Sequence, residues 1–216
     1  MDIGFIVHAF VMLFLVIDPV STVPVFIGMT PGASASRRRR DARNASITVV
    51  AILLSFLLFG QAVFTAFDIT ITAFRIAGGI IILIIALDLL KATHTSVRMD
   101  REEQSEDYRT TDIAVAPLGI PMLGGPGAIS AVMVLAAREP TSAGMLSLAI
   151  IIVIIGFLCY VILSAGTLVQ RILGVTGVNV VTRLMGLILL ALAVQFMMDG
   201  FQEALLPLVG ESVADE

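Results

Sequence analysis

Six long apolar runs constrain this chain more than anything else in it. They cover about 3–29, 45–67, 70–90, 113–137, 143–168 and 180–199. Each is roughly 20 residues long and none alternates with the period of a half-buried strand, which is the length and pattern of a membrane-crossing helix. Inside lipid every backbone N–H and C=O must be satisfied internally, and a non-alternating run of this length does that as a helix. The expected fold is therefore an all-α membrane protein. Of 216 residues 58% are hydrophobic and 14% charged, and no soluble domain of that size could bury so much apolar surface.

The charges that exist are gathered between the runs. Arg37, Arg38, Arg39, Arg40 and Arg43 precede the second run, Lys91, Arg98, Arg101 and Arg109 follow the third, and Arg171 follows the fifth. Arg138 and Arg75 stand on the other side of the alternation. Positive loops stay in the cytoplasm, so six full crossings put both termini outside. A second topology keeps runs 1 and 4 as re-entrant hairpins and moves the N-terminus inside; the charge count favours full crossings. Beside a span, an arginine run is a topology signal, and no nucleic-acid partner is expected. The polar stretch 91–112 reads as a solvated cytoplasmic linker between a first unit, 1–90, and a second, 113–216. Met1-Asp2 lacks a basic n-region, so the first run reads as a retained span. The single cysteine, Cys159, lies in an apolar run and reads as a buried small side chain.

The first run contains what an ordinary span excludes. In VIDPVSTVPVFIGMTPG (16–32), Asp18 is an ionisable group amid apolar residues, where charge costs at least ~2.5 kcal/mol without a partner or cavity. Pro19 cannot join the helix ladder. Together Asp18 and Pro19 read as an N-cap and a first-turn proline, a helix that stops and restarts within the bilayer. The stretch APLGIPMLGGPGAIS (116–130) repeats the pattern, with Pro126 standing 107 positions after Pro19. Pro24 and Pro121 are further expected break points. Arg75 and Arg183, each leading an apolar helix, are 108 apart. Breaks and arginine-led helices thus recur in order. Three spans per half make the halves antiparallel, giving six transmembrane helices as two inverted three-helix repeats, with helices 1 and 4 broken near the midplane. Secondary transporters bind substrate at such breaks.

Two restarting helices would offer free amides that suit a carboxylate. Gly124, Gly125 and Gly127 would admit a ligand to bare backbone, and Ser21, Thr22 and Ser130 would add hydroxyls. Those hydroxyls can equally bond their own backbone one turn back. Asp18 has three open roles: holding a substrate ammonium, carrying H⁺ or Na⁺ as coupling ion, or capping its helix. A small zwitterion fits this set better than a bulky drug. Arg75, Arg183 and Gln195, with Asp18, are candidates for the pathway or for coupling; each arginine can also simply reach the interface, or pair with Asp18. Gln61 and Gln195 suit interhelical bonds. His8 and His94 have no ligand-like neighbours, so no metal and no cofactor is expected. No phosphate loop, triad or carboxylate pair is visible, so no enzyme is expected.

The pieces VIDPVSTVPVF, FRIAGGIIILIIALDLL, APLGIPMLGGPGAIS and VVTRLMGLILLALAVQFMMDG resemble the MarC family of six-span inner-membrane proteins, and the likeness covers nearly the whole chain. The resemblance implies a carrier of small neutral amino acids driven by an ion gradient, or an amino acid exporter. On it, Asp18, Pro19, Pro24, Gly125, Pro126 and Gly127 match the family's two broken-helix motifs. Ser21-Thr22 stands where the family often has Gly-Asn, which bears on substrate and coupling ion. A channel or exporter for another small metabolite and a non-transporting scaffold working through 91–112 are the rival readings. A homo-oligomer stays open.

Overall fold

The structure, a computed structural model, describes residues 3–30, 33–91 and 123–214. Among them the chain forms seven helices and no strand: α1 (Ile3–Ile17), α2 (Pro19–Met29), α3 (Ala35–Ala66), α4 (Ile71–Lys91), α5 (Pro126–Arg138), α6 (Ser142–Ser164) and α7 (Gly166–Ala214). Five stretches are long and apolar enough to cross a membrane: Ile3–Ile27, Ala35–Ala66, Ile71–Leu90, Ser142–Ser164 and Asn179–Leu205. The expected fourth span, 113–137, lies partly outside the described residues. Its described part is α5, whose 13 residues are too few to cross ~30 Å of hydrocarbon alone. The expected linker 91–112, apart from Lys91, and Pro121 also lie outside the described residues.

Three local expectations are corrected. The arginine run is not a loop: α3 begins at Ala35, ten residues before the apolar run, with Ser34 as its cap accepting from Arg37 N at 3.2 Å. Alanine and arginine are strong helix formers, so a good cap carries the helix out past the apolar limit. The stretch around Arg171 is likewise helical, the start of α7, and the change of direction falls at Gly174 (φ 64, ψ 177), a conformation open essentially to glycine alone. Pro24 does not break its helix. It lies inside α2, which continues to Met29, because a proline forfeits one ladder bond and the rest can hold.

The core is organised around α5. Of its residues Gly127, Ala128, Ser130, Ala131, Val132, Met133, Val134 and Leu135 are all buried, so it is enclosed on nearly every side. It packs against α1, α3, α4 and α6, while α2 packs against α6 and α7. In lipid the apolar effect does not drive helices together, so close approach through small residues must. Gly78 and Gly79 on α4, and Gly186 and Gly200 on α7, provide it. A methyl group on Gly79 would sit 2.7 Å from Met197 Cγ, and one on Gly200 would sit 2.6 Å from Ile76 Cγ1. Gly156 of α6 meets Val50 of α3 in the same way. The outer faces of α3, α4, α6 and α7 carry exposed Ile, Leu, Val and Phe, among them Leu58, Phe59, Ile84, Phe157, Leu184 and Leu187. Such an apolar exterior needs lipid around it.

Candidate functional site

Asp18 separates α1 from α2. Its N–H closes α1 on Phe14 O at 3.0 Å, and its backbone then turns left-handed (φ 44, ψ 64). Aspartate tolerates this region better than most residues. Pro19 follows as the first residue of α2, where its missing N–H is no loss. Asp18 Oδ1 accepts from Ser21 N at 3.2 Å, and Thr22 Oγ1 donates to Asp18 O at 3.0 Å. Thr22 therefore serves its own backbone. Asp18 is 8% exposed, and both its Oδ2 and Ser21 Oγ are buried with no partner among the described residues.

The start of α5 is built differently. Gly125 caps it in an extended conformation (φ −69, ψ 176) and supplies no side-chain acceptor. Pro126 again occupies the first turn, so the N–H groups that follow lack a side-chain cap. Gly124, Gly125 and Gly127 are buried. A methyl group on Gly127 would lie 3.2 Å from Ile82 Cγ1 and 3.6 Å from Val16 Cγ1. Val16 is two residues before Asp18, so the beginning of α5 sits beside the end of α1.

The remaining candidates separate from this pair. Ser130 is 1% exposed and its side chain abuts α4, where a methyl group on Gly78 would fall 2.5 Å from Ser130 Cβ. Arg75 does not pair with Asp18. Its guanidinium bonds Glu203 Oε2 at 3.0 Å, joining α4 to α7 at one end of the bundle. Gln195 is exposed and donates to Asp199 Oδ1, one turn on, at 2.6 Å, with no interhelical bond among the described residues. Arg183 is exposed on α7. Gln61 is exposed on α3.

Two polar contacts carried no sequence signal. Arg138 at the end of α5 lies 3.1 Å from His8 Nε2 on α1, beside a cavity that Glu139 also lines. Asp41, 6% exposed, lies 3.9 Å from Arg37 on the same helix. The first joins positions 130 apart, and the second was hidden in a stretch read as loop. No group of three or more His, Cys, Asp or Glu capable of holding a metal occurs among the described residues.

A helical, multi-pass membrane protein with a buried carboxylate at a helix start is the class these features define. The chain belongs to the MarC family: residues 3–205 match the family described as MarC family integral membrane protein. It is similar to the UPF0056 membrane protein YvbG of Bacillus subtilis, 41% identical over 90% of this chain and 92% of the relative. It is also similar to the UPF0056 membrane protein MJ1677 of Methanocaldococcus jannaschii, 38% identical over 95% of this chain and 100% of the relative. The UPF0056 membrane protein YhcE of Escherichia coli is 34% identical over 89% of this chain and 90% of the relative. No solved structure matches the chain.

Proposed function

We propose that this protein is a secondary transporter of small neutral amino acids, of the glycine or alanine kind, working by alternating access in the cytoplasmic membrane. One observation carries the reading: the first turn of α5, which has no side-chain cap, lies beside Val16, two residues before Asp18, the buried cap of α2 whose Oδ2 has no partner among the described residues. A zwitterion carries the complement of both. Its carboxylate would take the amides after Gly125 and Pro126, where the helix dipole favours negative charge. Its ammonium, or a coupling Na⁺ or H⁺, would face Asp18 Oδ2 and Ser21 Oγ. Glycines 124 and 125 leave bare backbone at the site, so a short side chain fits, while Gly127 serves the packing of α5 on Val16 and Ile82. The chemistry is carriage, with no bond made or broken.

Packing supports an inverted repeat behind this site. The first half is 1–90 and the second 113–216, joined by the cytoplasmic segment 91–112, with six spans and both termini outside. Exchanging α2 with α5, α3 with α6 and α4 with α7 pairs the more extensive contacts among these six helices: α4 on α5 answers α7 on α2, and α3 on α5 answers α6 on α2, while the smaller α5–α6 and α6–α7 contacts have no such counterpart. The pairs α3–α6 and α4–α7 map to themselves, as elements near a two-fold axis do. In this plan rocking one half against the other exposes the site to each side in turn.

The test is counterflow of labelled alanine or glycine in proteoliposomes, with Asp18→Asn beside the unaltered protein. Saturable exchange that Asp18→Asn abolishes or weakens is the expected result. No exchange of any small amino acid, with the protein folded and inserted, removes the proposal.

A further inference from the structure

Three of the five arginines of α3 have no anion to face within the described protein. Arg37 lies against Asp41, and Arg38 donates to Thr30 O at 3.2 Å. Arg39, Arg40 and Arg43 are exposed, and no carboxylate among the described residues pairs with them. They sit three and four residues apart on one helix face, where like charges destabilise the helix. Together with Ser36 and Tyr160 of α6 they line an open cavity of about 360 Å³.

The place of this cavity is set by helix length. α3 has 32 residues, or about 48 Å at ~1.5 Å per residue, against ~30 Å of hydrocarbon. Its apolar part begins near Ala45, so Arg43 stands at the lipid boundary and Arg39 and Arg40 one turn beyond. α6 runs antiparallel to α3: Tyr160 lies by the arginines and Gly156 by Val50. A half-buried tyrosine at that level has its ring in the apolar layer and its hydroxyl in the headgroups.

We propose that this cavity is a binding site for a phosphodiester anion, supplied by the headgroup of an anionic phospholipid. Guanidinium groups match phosphate oxygens in pairs, which lysine does not do. Ser36 Oγ and the Tyr160 hydroxyl are donors of the right kind at its edges. The positive end of α3 adds to the field. The lipid, and not a free phosphate, is the ligand because the cavity opens at the depth where headgroups lie and its wall includes the Tyr160 ring. This site is independent of the carrier proposal.

The test uses the full chain purified in neutral detergent, with phosphatidylglycerol, phosphatidylcholine and inorganic phosphate as separate probes. Bound molecules are counted by native mass spectrometry across a titration. Unaltered protein is expected to retain phosphatidylglycerol in preference to both other probes. The triple variant Arg39→Gln, Arg40→Gln, Arg43→Gln is expected to lose about a hundredfold in affinity, roughly fivefold per charge. Arg183→Gln removes an exposed charge elsewhere and should stay within about twofold. The triple variant also alters the charge signal that orients the chain, so Tyr160→Phe and Arg40→Lys serve as variants that leave that signal intact; both should weaken phosphatidylglycerol severalfold. Equal loss in Arg183→Gln would make the attraction one of general surface charge and overturn the site. Unchanged binding in Tyr160→Phe and Arg40→Lys would overturn it as well. Inorganic phosphate bound as tightly as phosphatidylglycerol would overturn the lipid assignment.

Discussion

The starts of α2 and α5 use the same proline in the same place and differ in the residue before it. At α2, Asp18 turns left-handed and lends an oxygen to Ser21 N. At α5, Gly125 stays extended and lends nothing. A carboxylate cap fills the amide end of its own helix and leaves its second oxygen buried without a partner among the described residues. A glycine cap leaves the amide end open and carries no charge. Under the carrier proposal the first start would take a cation and the second an anion, although both arise from an X-Pro pair at equivalent depth in the sequence. Under that proposal the asymmetry would give a bound ligand a preferred orientation.

Exchanging the charge for its isostere should break the comparison most severely. Asn in place of Asp18 can keep the cap and tolerates the left-handed backbone, so folding should survive. Losing a charged partner is worth about 1.5–3 kcal/mol, and exchange should fall roughly tenfold to a hundredfold in counterflow. Next comes the wall that holds α5 in position. Gly78→Ala drives a methyl group to 2.5 Å from Ser130 Cβ, and thermal unfolding in detergent should report about 1–3 kcal/mol lost. Adding Ser130→Gly should restore most of it. The corresponding change on α7, Gly186→Ala, meets its neighbours at 3.1 Å and should cost roughly 1 kcal/mol or less by the same measurement.

The comparison is sharpened by making the second start resemble the first. Gly125→Ser gives α5 a side-chain acceptor in a backbone conformation any residue can adopt. Stability should rise by about 1 kcal/mol while exchange slows severalfold, because the new cap competes with the ligand for the amides. A variant that gains stability and keeps full exchange would mean those amides are not used. The smallest effect belongs to Thr22→Val, which removes only the 3.0 Å bond to Asp18 O; about 0.5 kcal/mol of stability should go, with exchange nearly unchanged.

Much of this architecture is legible in the residues, and the exceptions have physical causes. Long apolar runs announce helices because lipid allows little else. Asp-Pro announces a cap and a first turn because both act through bonds local to a few residues. The outward extension of α3 is not legible from hydropathy: a charged helix in water has no apolar stripe to betray it, and Ala35–Asn44 looks like a loop until its cap is noticed. Arg75 with Glu203 joins positions 128 apart, and no local pattern predicts such a pair. Gln195 was expected to reach across to another helix, yet Asp199 one turn away offers a shorter route. Gly174 looked like one glycine among 18, since nothing in its neighbours marks it as the point where the chain changes direction.

The glycine contacts between α4 and α7 also limit how the bundle can move. Backbone meets side chain there with no spare distance: Gly79 against Met197, Gly200 against Ile76 and Gly186 against Leu89. Sliding by even one residue would jam bulk into bulk, so the two rods behave as a single keel. Any relative motion of the two halves would then have to pivot about this contact, with α4 and α7 keeping their register.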